Sequence, residues 1–198
     1  MGDTPLTTLE YALLGLVGLA PLSGYDAHKL FTTTPLAHFS GSPGAIYPAL
    51  RRLERRGLLR AELDRPTEAR PRRVFFLTGQ GEAALTAWLR QPATRAELIG
   101  GAAPILRFSL AGQRLSRAQL VAYLETYRQV VQAYVEELEA YLPGMAGEHM
   151  LVGRLALENG IWGFRTELDW IARAADELQR HPRPRSPRTG QRRRSRAD

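Results

Sequence analysis

The chain has 198 residues, 27 basic side chains against 20 acidic ones, a formal net charge of +7 and no cysteine. That length supports one or two domains with real cores, and the missing thiols exclude disulfides, thiolate zinc sites and a cysteine nucleophile. No secretory apolar segment and no run long enough for a membrane span is present, so a cytoplasmic protein is expected. The charge is uneven: residues 1–90 carry net +3, residues 91–180 net −2 and residues 181–198 net +6. The basic balance is therefore mostly a property of the last stretch. Lys29 is the only lysine, so arginine richness reflects composition as much as function.

In chain order, Thr7 and Glu10 fit a capping box that opens an almost wholly apolar helix, Leu9 to Leu19, stopped by Pro21. Ser23-Gly24-Tyr25-Asp26 starts a second helix that turns Ala27 and Leu30 inward and ends near Thr33. The segment 41–59 reads as a third helix. Ser42 is placed to cap it, Pro43 fits its first position, and Ile46, Leu50 and Leu53 make one apolar stripe. Pro48 is awkward inside such a helix, which predicts a bend or a later start. Gly57 suits the residue past its end. Tyr47, Arg51, Arg52 and Arg55 lie off the stripe, where an aromatic and arginines fit a DNA major groove.

Residues 58–64 and 72–77 read as two strands around a turn at residues 65–71, marked by two prolines. Arg70, Arg72 and Arg73 stand at the turn and on the return strand, within reach of a phosphate or an adjacent minor groove. Thr78 then caps a helix to about Arg90. The order helix, helix, basic helix, hairpin, helix is that of a winged helix-turn-helix.

The second half reads as helical. A transition at 91–114, with Gly100-Gly101 and Pro104, holds a short apolar helix around Ile105, Leu106, Phe108 and Leu110. Ser116 and Gln119 fit another capping box. Leu120, Leu124, Tyr127, Val131, Tyr134, Leu138 and Tyr141 then recur in an unbroken heptad pattern up to Pro143-Gly144. Leu157, Ile161, Phe164, Leu168, Ile171, Ala175 and Leu178 repeat it. The two seams can cover one another as a hairpin. A second apolar row, Tyr123, Val130, Val135 and Leu142 on the first helix with Leu151, Leu155, Trp162 and Trp170 on the second, would remain exposed. A twofold homodimer is the natural cover. Residues 181–198 lack apolar content to offset the entropy of ordering and are expected to be disordered. The expected fold is thus mainly α with a small β-hairpin wing: a winged helix-turn-helix at 1–90, a long-helix dimerisation domain at 91–180 and an arginine-rich tail at 181–198.

Four stretches together resemble the PadR family of bacterial transcription regulators: Leu6 to Leu16, Leu22 to Asp26, Gly44 to Glu54, and Arg72 to Thr78. The stretch from Leu155 to Trp170 is similar to the C-terminal helical domain of its longer, virulence-regulator-like branch. The resemblance spans roughly residues 5–180 and implies a homodimeric winged-helix protein on double-stranded DNA, usually a repressor. It implies DNA contact by Tyr47 and Arg51, and places Arg72 and Arg73 on the wing. One departure is Ala45, where the family often has a polar residue. With the helix tip and the basic face included, the candidate DNA-binding residues are Ser42, Ala45, Tyr47, Arg51, Arg52, Arg70, Arg72 and Arg73. Some members of the family bind flat aromatic effectors near the dimer interface. The aromatic row of this chain reads first as core, so no ligand-binding residue is assigned.

Catalysis finds little support. His28, His38, His149 and His181 show no metal-ligand spacing such as i, i+4. Ser40-Gly41-Ser42-Pro43-Gly44 lacks the first glycine of a nucleophile elbow. No phosphate-cradling glycine loop follows a strand, and neither metal nor cofactor is expected. The alternative to a DNA-binding regulator is a dimeric winged-helix module that binds proteins, for which an acidic or apolar outer face would be the mark.

Overall fold

The computed structural model describes residues 5–34, 43–64, 71–101 and 103–181. Thr7 caps α1 (Thr8–Leu19), and the reciprocal bonds between Thr7 and Glu10 close the expected box. Residues 12–17 of α1 are all buried, as its near-continuous apolarity requires. Leu22–Ser23 form a two-residue strand, β1, before α2 (Gly24–Thr33), which Ser23 and Asp26 cap in the same reciprocal way. A 3-10 turn at Pro43–Ala45 leads into α3 (Ile46–Arg55).

This helix starts later than Ser42, as Pro48 demands. Pro48 becomes the third residue of α3, inside the first turn, where backbone N–H groups have no intrahelical acceptor to lose. The residue before α3 is Ala45, which makes no side-chain cap bond. Gly57, at φ +69°, takes the left-handed position that ends the helix.

β2 (Leu59–Asp64) and β3 (Arg72–Leu77) pair antiparallel, with Leu59 opposite Leu77 and Asp64 opposite Arg72. β1 joins the other edge of β3, Leu22 opposite Phe75, so the hairpin is part of a three-stranded sheet in the order β1-β3-β2. Thr78 caps α4 (Gly79–Leu89) by accepting from the Gly81 N–H at 3.0 Å.

Thr94 and Glu97 close a further capping box that opens α5 (Arg95–Ile99), a helix the sequence reading left inside the transition. α6 (Ala103–Ala111) follows, then α7 (Arg117–Glu139) with its expected Ser116–Gln119 box. Two 3-10 turns, Leu142–Met145 and Glu148–Met150, lead into α8 (Leu151–Arg180). Among the described residues no helix is long and apolar enough to cross a membrane.

α7 and α8 pack as an antiparallel hairpin. Tyr134 meets Phe164 edge-on at 5.1 Å, the Tyr127 hydroxyl donates to Glu167, and Arg165 donates to Glu139 at 2.7 Å. The heptad seams cover one another from Leu124 to Leu138, whereas Leu120 joins the first core and Tyr141, past the end of α7, is exposed, because the helix stops at Glu139. The second row of α7 does not stay open, contrary to expectation. Tyr123 and Val135 are buried within the chain, and the Tyr123 hydroxyl donates to the Pro104 carbonyl at 2.9 Å. α5 and α6 fold back over that row. The second row of α8 does stay open, at Leu151, Leu155, Trp162 and Trp170.

One apolar core crosses residue 90. Leu13, Leu50, Leu53 and Leu85 share a cluster with Leu106, Leu110, Leu115 and Leu120. A second cluster lies between α7 and α8, around Tyr127, Val131, Ile161 and Ile171. At the junction Arg107 is 1% exposed. It pairs with Glu97, donates to the carbonyls of Gln91 and Pro92 at 3.2 and 2.9 Å, and lies 4.7 Å from the Trp88 ring centre. Trp88 in turn stacks on Tyr11 of α1, centroids 4.4 Å apart.

Candidate nucleic-acid interface

The stripe on α3 sets what the rest of the helix presents. Ile46, Ala49, Leu50 and Leu53 are at most 1% exposed, so Tyr47, Arg51, Arg52 and Arg55 are turned away from the core. Tyr47 is 46% exposed, yet its ring has defined neighbours. His28 lies 6.4 Å away, centroid to centroid, and a Cβ added at Gly24 would stand 2.6 Å from Tyr47 Cε1. Only a residue without a side chain lets the ring lie across the start of α2. Arg51, one turn further on, is exposed and has no acidic partner among the described residues.

Arg52, Arg72 and Arg73, by contrast, are held by carboxylates. Arg52 Nε donates to Glu10 Oε1 at 2.8 Å, while the other Glu10 oxygen accepts from the Thr7 N–H at 2.9 Å. Glu10 is 3% exposed. Burial alone would raise its pKa, but the bonds from Thr7 and the Arg52 guanidinium more than offset that, and the net shift is downward. Arg52 therefore ties α3 to α1, a role that no local pattern in the sequence reveals.

On the wing, Arg72 Nε donates to Asp64 Oδ2 at 2.9 Å, and Arg72 Nη1 lies 3.9 Å from Asp26 Oδ2. Asp26 is itself held below the ordinary carboxylate range by the Ser23 hydroxyl and N–H that it accepts as cap partner. Arg73 pairs with Glu54 at the far end of α3 and lies 6.0 Å over the Phe75 ring. Both wing arginines are exposed, so each can reach outward from these anchors. Ala45 is half-buried at the start of α3. Ser42 and Arg70 lie outside the described residues, as do the wing tip at 65–70 and residues 182–198.

Between the starts of α2 and α3 and strand β3 there is a cleft of about 700 Å³. Tyr25, Tyr47, Arg51 and Arg72 line it, with Leu50 and Phe75 as apolar wall. α3 and the wing thus form one face that can offer a phenol and a guanidinium to a groove and further guanidiniums to flanking phosphates.

Of the aromatic row, Trp88, Tyr123 and Tyr127 are core, as the plain reading expects, whereas Trp162 is 64% exposed.

Residues 13–87 match the transcriptional regulator PadR-like family. "Transcriptional regulator Rv3488" of Mycobacterium tuberculosis (strain ATCC 25618 / H37Rv) is 43% identical over 63 residues, 31% of this chain and 58% of that protein. "Negative transcriptional regulator PadR" of Bacillus subtilis (strain 168) is 30% identical over 84 residues, 42% of this chain and 46% of that protein. The chain spans about half the length of these relatives. A crystal structure of Bacillus subtilis PadR in complex with operator DNA aligns over 87% of this chain and 99% of that one, with 20% identity and a TM-score of 0.41.

Proposed function

We propose that this chain, whose residues 13–87 match the transcriptional regulator PadR-like family, is a sequence-specific DNA-binding repressor of that family, acting as a homodimer on a palindromic operator. It is a regulator and not an enzyme. The observation that carries the reading is α3 itself: a helix with a fully buried stripe on one side and exposed Tyr47 and Arg51 on the other. In this reading α3 enters the major groove and the wing holds the flanking backbone. The name of the Bacillus subtilis relative, a negative regulator, supports repression over activation.

The dimer is supported by α8. Leu151, Leu155 and Trp162 are 41%, 52% and 64% exposed, and Val152 beside them is 80% exposed. A contiguous apolar face of that kind marks an interface. A twofold pair of α8 helices covers it with the same patch from each copy, and also presents two α3 helices to two half-sites. We assign residues 1–90 to DNA and residues 91–180 to dimerisation. A small-molecule effector, in this account, releases DNA by binding better to a dimer whose half-site spacing no longer fits. A thermal-shift and operator-affinity screen in which no compound alters binding would remove that step.

A second reading, a winged-helix module for protein partners, draws on one observation: carboxylates already neutralise Arg52, Arg72 and Arg73. Substitution separates the two. Tyr47→Ala and Arg51→Ala are each expected to weaken operator binding by roughly 1–3 kcal/mol with the melting temperature unchanged. Normal operator binding by a folded Tyr47→Ala chain would contradict the DNA reading.

A further inference from the structure

We propose that the cleft between α2, α3 and β3 seats one deoxyribose-phosphate unit of the DNA backbone, with Tyr25 as an unassigned contact and Arg72 passing from Asp64 to the phosphate. The inference rests on the DNA-binding reading and gives this part of the face a task of its own: affinity without sequence preference.

Tyr25 motivates it. The side chain is 68% exposed and makes no hydrogen bond or ring contact among the described residues, so packing does not explain it. It stands on a cleft of about 700 Å³ whose wall includes Leu50 and Phe75 and whose charged members are Arg51, Arg72 and Arg73. An apolar wall beside three cations and two phenols matches a sugar joined to a phosphodiester. The Tyr25 ring covers the sugar, and its hydroxyl and the Arg72 guanidinium meet the anionic oxygens. Phosphate contacts of this kind fix register and orientation.

Arg72 completes the site by exchange. It is bonded to Asp64 at 2.9 Å and stands 3.9 Å from Asp26, with its side chain 56% exposed. Exposed ion pairs hold weakly in water, and a phosphodiester offers two charged acceptor oxygens in a geometry that a guanidinium matches. Asp64 thus stands in for a phosphate in the DNA-free protein and competes with DNA for the same arginine. Among the described residues, the carboxylates that face Arg72 are Asp64 from β2 and Asp26 from α2. Asp26 stays committed to the Ser23 cap, so Asp64 is the one released.

The test measures fluorescence anisotropy of the full chain on duplex DNA from immediately upstream of its own gene and on a shuffled duplex, across salt concentrations. Tyr25→Ala is expected to weaken both duplexes by a similar factor, about tenfold, because a backbone contact carries no sequence information. Tyr25→Phe falls between, and neither changes the melting temperature of so exposed a residue. Asp64→Asn is expected to strengthen both duplexes, about threefold, and to steepen the salt slope by up to about one. In an Arg72→Ala background the Asp64→Asn gain disappears, which separates a handover from the mere loss of a negative charge. Unchanged affinities in Tyr25→Ala, or an Asp64→Asn gain that survives without Arg72, overturn the proposal while operator preference by the wild type leaves the DNA reading intact. A wild-type chain with no affinity for either duplex overturns both.

Discussion

Tyr47 reaches outward from a position that Gly24 makes available. A methyl at Gly24 would have to share space with the Tyr47 ring, so Gly24→Ala is expected to leave the melting temperature nearly unchanged while lowering operator affinity in the same direction as Tyr47→Ala. Paired thermal melts and binding titrations check this. Glu10 gives a pH signature of the opposite kind, on stability alone. Its pKa is lowered in the folded state from an ordinary 4.5, so its contribution is complete above that value and is lost as pH falls through the lower folded value. Glu10→Gln is therefore expected to melt below the wild type at neutral pH, with the difference narrowing on acidification below 4.5. A difference that widened on acidification would mean that Arg52 and Thr7 do not stabilise the carboxylate. The outward face of α3 was legible from the period of Ile46, Leu50 and Leu53. The pairing of Arg52 with Glu10, across 42 positions of sequence, was not, because it depends on where α1 packs.

At the scale of elements, what was legible was local. Capping boxes at Thr7 and Ser116 mark helix starts within four residues of sequence and both form, and the helix start read at Ser23 proves to be a third such box. The Thr94–Glu97 box has the same signature, but the prolines and glycines around it read as a connector. β1 gave no signal, since two residues at the edge of a sheet become a strand only when β3 lies beside them. The cover over Tyr123 and Val135 was hidden for a related reason: periodicity shows that a face is apolar but not which neighbour takes it. α8 keeps the open face and carries the dimer prediction. Trp162→Asp is expected to shift the protein from dimer to monomer in sedimentation velocity with its helical circular dichroism retained, because Trp162 has little to lose within its own chain. Ile161→Ala, buried between α7 and α8, is instead expected to cost stability, by about 2–5 kcal/mol in denaturant unfolding.

Across the whole molecule, the winged helix and the helical hairpin are not independent bodies joined by a linker. Leu106, Leu110 and Leu120 belong to the core under α3, and Arg107, Trp88 and Tyr11 form one stack from α6 through α4 to α1. A dimer built on α8 would therefore fix the separation of two α3 helices through packed side chains, which suits a protein that measures half-site spacing. The charge is arranged differently. Arg52, Arg72 and Arg73 on the proposed DNA face are already balanced by carboxylates, whereas residues 181–198 carry net +6. Removing that segment is expected to flatten the salt dependence of DNA binding and to spare the preference for one sequence over another. The most direct test of the account follows. A chain ending at Arg180 is titrated by fluorescence anisotropy, near physiological salt, against DNA from just upstream of its own gene and against a shuffled duplex. The account predicts a preference of roughly a thousandfold or more for the upstream sequence. Equal, weak binding to both would contradict it and would turn the search toward a protein partner for the same face.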